Sequence, residues 1–596
     1  MKLLVCYKVI PDLDQVLWDE DVLTSEMEVD TSYVKNIINC FDESSLEFGL
    51  RLSDEAEGLN LHIEKSALTV ADQKAELVMQ TLNALCYDHV IRFDPEHDVR
   101  FTAHAVGQQI VNYVKENPQD LVLLGRQSPQ GNNFATGQYV AEKLNMPLIA
   151  NVVDIHVTAD ETFVVQQEID GAVYEQEVKG PVVCTIGNAI ISKLRVPTLK
   201  NRMKYGKRPF DMPEFSDEEH IYHAFPEKLV YVDRHRAGEI ADIPAEEGMA
   251  FLENILAESE GLEKGNSEAK EKLQDENAEK QNKADKTVLF VSSAKEAETE
   301  TWFNDYLNLK DQWMEMGYDS MLYLYGHEGA KVDDKYADYS NKIFVDDSWY
   351  LSPSMLANHI SDIIEQNDIT GVFVLEDSFS NEIAGVLAAK KEWNCVLNGI
   401  NFSAADDKIC LEKMVYNNNI KSELVLPAEK FVISSGTMKS RKFEGTFTSC
   451  RETSVIEKVE CAECPSYVVN QKIVSKRDNN GLSNVLIAVG KGVDSKQDVE
   501  TLRAWAKSRG YMFGVSRPVS MSGWADMDEI IGVSGNIHAP KVTIAIGVSG
   551  TAAFYAGIEQ SDKIVAVNTN DKAALIKMAD ISIIEDYSKI FKGILE

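Results

Sequence analysis

Short apolar runs separated by stretches of helical spacing recur along nearly the whole chain. Near the C-terminus the runs at 485–489, 530–533, 542–546 and 564–567 are rich in β-branched residues and bounded by glycine or polar residues. That pattern predicts buried parallel strands, with helices over 495–508, 551–557 and 573–579 between them. The first 200 residues alternate in the same way: a strand at 3–7, helices at 42–52 and 73–85, a buried strand at 121–124, and a helix from 137 to 144 after a polar loop. A third such region has strands at 288–292, 320–324, 343–345 and 371–375 and helices near 298–315, 355–366 and 381–391. The predicted fold class is α/β, three doubly wound parallel-sheet domains, the C-terminal one with its ligand at the carboxyl ends of the strands.

Between these regions the pattern fails in an informative way. Residues 265–286 contain one large apolar residue, Leu273, among polar, charged and small ones, so they cannot bury enough surface to order themselves and read as a tether. The expected organisation is a domain over 1–225, an arm over 226–264 with an amphipathic helix at 246–257, the tether, a domain over 287–452, a connector over 453–478 and a final domain over 479–596.

Composition narrows the function classes. A net charge of −37 over 596 residues offers no basic stripe for a nucleic-acid backbone. The N-terminal apolar run is broken by Lys8 and Asp12, too short for a signal peptide or a membrane span. Nine scattered cysteines fit reduced thiols in a cytoplasm, and the pair Cys461 and Cys464 has no second pair or nearby histidine to complete a metal site. His104, His359 and His538 are isolated, and no catalytic triad or Walker loop is visible.

The glycine turns are the candidate chemistry. Gly-Val-Ser-Gly occurs at 532–535 and 547–550, each time directly after an apolar run. A strand ending in such a turn leaves backbone N–H groups that glycine lets a pyrophosphate approach. Gly490-Lys491-Gly492, Gly514-Val515-Ser516-Arg517-Pro518, the two Gly-Val-Ser-Gly turns, Ala539-Pro540-Lys541, Ala566-Val567-Asn568 and Glu585-Asp586 follow in a fixed order. In order and spacing this constellation resembles the Rossmann-like FAD-binding domain of the electron-transfer flavoprotein alpha subunit.

The resemblance implies that Arg517 is a permanent cation beside the flavin ring and that Ser534 bonds the flavin edge. It also implies that Lys491, Gly492, Ser516, Val533, Gly535, Gly547, Val548, Ser549, Gly550, Ala553, Phe554, Asn568 and Asp586 line the FAD. Four of these positions depart from the family: Lys491 replaces an Arg, Val533 and Ala553 each replace a Gln, and Phe554 replaces a His near the pyrimidine carbonyl.

A second resemblance lies in the N-terminal half. Asn39-Cys40-Phe41-Asp42-Glu43 and Leu123 to Gln127, followed by Ala135-Thr136-Gly137-Gln138, are similar to the nucleotide crevice of the beta subunit. It implies AMP, or a second FAD, held by Cys6, Asn39, Val70, Gly125, Asn133, Ala135, Thr136 and Gly137. Asn39 also suits a helix cap. Gln130, Phe134 and Ala135 stand where the family has Asp, Asn and Gln.

Leu199, among Lys193, Arg195, Lys200, Arg202 and Lys204, matches the apolar anchor that docks into a dehydrogenase. The region from 372 to 394 is like the alpha subunit's first domain. The chain is thus identified as a beta–alpha fusion acting as a monomeric pseudo-heterodimer.

The function this implies is electron carriage on one FAD between a dehydrogenase, such as the acyl-CoA dehydrogenases of fatty acid β-oxidation, and a second redox protein. Two alternatives stand beside it: an electron-bifurcating flavoprotein with a second FAD and NADH as donor, and a non-redox nucleotide-binding protein on the same fold.

Overall fold

Strand Lys2–Cys6, buried at every position after the first, pairs in parallel with Glu64–Val70 on one side and Leu121–Gly125 on the other. Burial on both faces is what selects an unbroken apolar run instead of an alternating one. Val182–Ile186 and His89–Phe93 complete the parallel core of a nine-stranded sheet. One side of that sheet then turns antiparallel through Leu148–Val157, Phe163–Ile169 and Ala172–Val178. The last two strands alternate buried and half-buried residues as a one-sided sheet requires.

The computed structural model describes residues 1–216, 226–261, 286–326, 340–346, 352–436, 455–459, 466–476 and 483–596, apart from positions 26, 96, 170, 298, 341, 378 and 406. Most of the predicted tether and the Cys461–Cys464 pair lie outside the described residues.

A ten-stranded sheet repeats the first plan. Its parallel core runs through Phe431–Ser435, Gly371–Val374, Lys286–Ser293, Tyr318–Tyr325 and Lys342–Asp346, and its antiparallel wing through Asn394–Ala405, Lys408–Val415 and Ile420–Pro427. The third sheet is wholly parallel, in the order Glu239–Ile240, Ile581–Ile583, Lys563–Val567, Val542–Ile546, Val485–Val489 and Met512–Val515.

The predicted strand at 530–533 is absent. Gly532 has φ +122°, and Ala553 O would lie 2.2 Å from a Cβ placed on it. No strand passes through that conformation, so Ile530 and Ile531 make only single bridges, to Val515 and Asn536.

The two wings exchange strands. Pro226–Tyr231, from the arm that follows the first domain, pairs antiparallel with Ile420–Pro427 of the second sheet. Reciprocally, Val468–Lys476 from the connector pairs with Ala172–Val178 of the first. A single apolar cluster runs from Leu4, Val111 and Val140 through to Ile360, Ala384 and Val432, so the halves share one core. Beyond its swapped strand the arm adds Glu239–Ile240 to the edge of the third sheet and sends helix Ala245–Gly261 onto it, burying Leu252, Ile255 and Leu256.

Cutting the 265–286 segment should therefore leave the two halves together. Two strand pairs between the halves and a continuous core form a permanent type of interface. Limited proteolysis followed by size exclusion is expected to give one peak containing both fragments. Two separate peaks would overturn the shared core.

Candidate functional site

Strand Val542–Ile546 ends at Gly547, whose φ of +62° turns the chain away from the sheet. Gly492 donates its N–H to Gly547 O at 2.9 Å, and a Cβ on Gly492 would sit 2.8 Å from that oxygen. Two glycine turns are thus pressed together at the carboxyl ends of adjacent strands. Gly550 has φ +83°, and a Cβ there would lie 2.4 Å from the backbone nitrogen of Leu575. Asn568 Nδ2 braces the turn by donating to Val548 O at 2.8 Å. The result is one wall of a cleft of about 660 Å³, bordered by Gly492, Gly547, Ser549, Gly550, Ala553 and Asn568. The opposite wall comes from elsewhere in the chain: Leu13 and Trp18, the arm residues Tyr231 to His235, and the hairpin residues Asn417 and Asn419.

Arg517 follows strand Met512–Val515 and opens the short helix Arg517–Met521, with proline next to it presetting the backbone. Its guanidinium is fixed from both halves of the protein. Nε donates to Ser534 Oγ at 3.0 Å, Nη2 donates to Asn188 Oδ1 at 3.3 Å, and Cζ lies 5.6 Å from the Phe41 ring centroid. Arg126 approaches the same ring at 5.7 Å and the Phe134 ring at 5.6 Å, and is held by Asn151 Oδ1 at 2.9 Å. Burial lowers the Arg126 pKa and nearby Arg517 lowers it further, against the pull of Glu382 and Glu168. Gln127 Nε2 crosses the same seam to donate to Val533 O at 3.3 Å. Val533, Gly535 and Asn188 border a second cleft, of about 1020 Å³, where all three sheets meet.

Five of the residues expected to line the FAD have other surroundings. Lys491 Nζ lies 2.9 Å from the Trp524 ring centroid, a cation–π pair at the surface. Phe554, 5 % exposed, packs under the sheet with Ile531, Val548 and Leu575 and does not reach the cleft, because its apolar ring gains more from the core. Val548 is in the same core and offers only its carbonyl. Asp586 turns back to cap helix Tyr587–Ile590, accepting from Ser588 N at 2.8 Å. Ser516 is buried at the start of the Arg517 helix, without a side-chain cap bond.

In the N-terminal domain the sequence brings together a coherent group. Cys6, Asn39, Val70, Gly125, Asn133, Ala135 and Thr136 line one crevice, and Gly137 sits in the first turn of helix Thr136–Leu144 behind it. Asn39 stands at the N-cap position of helix Cys40–Gly58 but does not cap it. Its Nδ2 instead donates to Asp42 Oδ2 at 3.0 Å and Gln127 O at 2.8 Å.

Asp42 also accepts from Lys8 N and Gly125 N, at 2.9 and 2.7 Å. Burial raises its pKa to about 6 against those bonds, and burial lowers Lys8 to about 8 although Asp42 opposes it. The crevice encloses about 100 Å³. A ligand pocket starts near 300 Å³, so in this conformation it does not fit a whole nucleotide.

Sequence reasoning missed the residues that reach this region from a distance. Asn188 and Phe41 reach Arg517 from the first domain, and Gln127 reaches the neighbouring Gly532–Gly535 turn. Tyr416, fully buried, plugs the nucleotide loop from the second: its N–H donates to Gln130 O at 3.1 Å and its hydroxyl accepts from Arg100 Nη1 at 2.8 Å. The signal available was the run Tyr416-Asn417-Asn418, a turn rich in asparagine whose three residues all adopt positive φ.

Leu199 is 74 % exposed at the start of helix Leu199–Tyr205, whose N-cap Thr198 accepts from Asn201 N. Val196 and Met203 are exposed beside it in sequence. Among the described residues no group of three or more His, Cys, Asp or Glu is placed to hold a metal, and no helix is long and apolar enough to cross a membrane.

Comparison with known proteins agrees with this geometry. Residues 26–217 match a family model described as the electron transfer flavoprotein domain, and residues 482–559 match the electron transfer flavoprotein FAD-binding domain. Protein FixB of Rhizobium meliloti (strain 1021) is 35% identical over 118 residues, 20% of this chain and 33% of that protein. The lactate dehydrogenase (NAD(+),ferredoxin) subunit LctC of Acetobacterium woodii is 31% identical over 139 residues, 23% of this chain and 33% of LctC. The electron transfer flavoprotein subunit alpha of Bacillus subtilis (strain 168) is 25% identical over 231 residues, 38% of this chain and 70% of that subunit. The match thus spans about a third of the length of the first two relatives.

Proposed function

The chain belongs to the electron transfer flavoprotein family, as a fusion of a beta-like and an alpha-like half, and on that premise we propose that it carries electrons on one FAD held by its C-terminal domain. What supports this most is Arg517. A guanidinium is anchored from opposite halves by Ser534 and Asn188, and its charge is felt by Asp14, which borders the glycine-walled cleft.

The backbone N–H groups of Ser549 and Gly550 suit the pyrophosphate, which Gly492 and Gly547 let approach closely, and Asn568 suits the adenosine side. Bound there, FAD would supply one- and two-electron redox chemistry. Arg517 keeps its charge at every working pH, so it favours negative charge on the ring without proton exchange. Ser534 Oγ accepts from Arg517, which leaves its hydroxyl hydrogen to donate outward. Phe41 excludes water from one side of the guanidinium.

Denaturing the purified protein and counting released flavin tests the reading. One FAD per chain is expected, and a colourless preparation that takes up no FAD would overturn it in favour of a non-redox nucleotide-binding protein. A bifurcating carrier would need a second FAD in a crevice of about 100 Å³, so the simple carrier is preferred.

The donor is a dehydrogenase docking at Leu199. The acyl-CoA dehydrogenases are one class, and the name of the A. woodii relative adds a lactate dehydrogenase. Leu199→Ala should slow transfer from the partner about tenfold, the effect of a ~1.4 kcal/mol anchor. FAD content and absorbance should not change. Unaltered transfer in stopped-flow mixing would remove Leu199 from the interface. The reduced thiols and the absence of a spanning helix among the described residues fit a cytoplasmic carrier.

A further inference from the structure

The arm that crosses from the beta-like half to the flavin domain carries Arg234 and Arg236, and the fold treats the two differently. Arg236 is saturated. Its Nε donates to Tyr555 Oη at 3.1 Å, Nη1 to Asp580 Oδ2 at 2.6 Å, and Nη2 to the carbonyls of Glu559 and Ser561 at 2.7 and 2.9 Å. Those bonds pin the arm to the third domain.

Arg234 is held far less completely. Its Nη2 donates to Asn418 O, in the asparagine turn of the alpha-like half, while its Nε is buried without a hydrogen-bond partner. The side chain is only 9 % exposed. Glu559 Oε2 lies 3.9 Å from Nε, too far for a hydrogen bond, and that carboxylate is half exposed to water. A guanidinium has five N–H donors and cannot give up its charge, so most of the bonding capacity of this one is unused among the described residues. Burying a cation on such terms costs stability unless something completes it.

The place of Arg234 says what completes it. It borders both clefts, the one walled by Gly492, Gly547, Ser549 and Gly550 and the one bordered by Val533, Gly535 and Asn188. In the first it belongs to the wall opposite the glycine turns. Lys572 and Lys577 border that cleft too, but they are exposed, where water and salt screen their charge.

We propose that Arg234 is a cofactor-binding residue supplied by the beta-like half, a buried cation that takes the diphosphate of FAD from the side opposite the Ser549 and Gly550 N–H groups. This rests on the reading that the cleft holds FAD, and it adds a ligand from outside the flavin domain. A guanidinium offers a diphosphate two parallel N–H bonds and a full charge, whereas backbone N–H groups offer partial charges. The dependence runs both ways. FAD supplies the countercharge that Arg234 lacks, so binding it also fastens the arm of one half to the flavin domain of the other.

The test uses the full chain stripped of flavin, as wild type, Arg234→Gln and Arg234→Lys. Fluorescence titration with FAD is expected to show at least a tenfold loss of affinity in Arg234→Gln and partial recovery in Arg234→Lys. Repeating the titration at high salt should show a shallower salt dependence in Arg234→Gln, because one ionic contact to the diphosphate is gone. Thermal melts separate this role from a structural one. Without FAD, Arg234→Gln should melt no lower than wild type, since it removes an incompletely paired buried charge, and the rise in Tm on adding FAD should shrink. Arg236→Gln, which breaks the bonds that pin the arm, should instead lower the Tm of the flavin-free protein.

Wild-type FAD affinity in Arg234→Gln would overturn the assignment. A loss of affinity with unchanged salt dependence would place the guanidinium away from the diphosphate and overturn it as well. So would a flavin-free Arg234→Gln protein that melts as far below wild type as the Arg236→Gln protein does. In each of these cases FAD bound by wild type leaves the electron-carrier reading standing, whereas a wild type that takes up no FAD removes both.

Discussion

Gly550→Ala should leave a folded protein that no longer retains FAD. At φ +83° an L-residue is strained by about 1–2 kcal/mol, and the added Cβ meets the backbone nitrogen of Leu575 at 2.4 Å and its Cβ at 2.6 Å. Neither neighbour is a flexible side-chain end, so the turn itself must move. Leu575 N donates to Ser549 O at 3.2 Å across this contact, and a displaced turn loses that brace together with the direction of the N–H groups facing the cleft. A loss of at least ~100-fold in FAD affinity, about 2.7 kcal/mol, is expected.

The control is Ser549→Ala, which removes an exposed hydroxyl and keeps the backbone. It should hold FAD within about tenfold of wild type, the worth of one hydrogen bond. Fluorescence titration of the apoprotein with FAD measures both, and circular dichroism checks the fold. A Gly550→Ala protein with wild-type affinity would show that the 547–550 turn is not the cradle.

Much of this cleft was legible because its determinants are local. Glycines required by close approach, β-branched runs buried on both faces and a serine-arginine turn after a strand all lie within a few residues of one another. The same holds for the N-terminal crevice, whose members follow strand ends and one helix start.

What the sequence did not disclose is non-local. Nothing in residues 226–231 or 468–476 says that each strand completes the other half's sheet, since an edge position is decided by the partner and not by the strand. Nothing around Asn188 announces an arginine 329 positions away. The run at 530–533 failed for the opposite reason: its composition is that of a strand, and a single glycine conformation forced by Ala553 overrides it. Phe554 was misplaced because a motif position was assumed to keep its direction. An imidazole and a phenyl ring have opposite preferences for the cleft and the core.

Arg517→Ala should lower the reduction potential of the bound flavin. Reduction adds negative charge to the ring, a fixed cation beside it stabilises the reduced form, and removing the cation therefore makes reduction harder. A unit charge at about 4–8 Å in a medium of effective dielectric constant near 20 contributes on the order of 2–4 kcal/mol. For a two-electron couple, where ~30 mV corresponds to ~1.4 kcal/mol, that is a shift of roughly 40–90 mV.

Arg517→Lys should recover part of the shift, since an ammonium keeps the charge but cannot reach Ser534 and Asn188 together with the planar fork. Asn188→Ala should give a smaller shift of the same sign. It removes the Asn188 bond to Nη2 and leaves the guanidinium on Ser534 alone of its two hydrogen-bond partners, so the charge stays but its position loosens. Phe554 is in the core and is not available to make up for the lost charge.

Equilibrium titration of all four proteins against a dye of known potential measures the series. The expected order, from highest potential to lowest, is wild type, Asn188→Ala, Arg517→Lys and Arg517→Ala. Equal potentials would place Arg517 away from the flavin and would break the link drawn between the two halves at this residue. A drop in Arg517→Ala without any effect of Asn188→Ala would keep the cation and show that the first domain does not help to aim it.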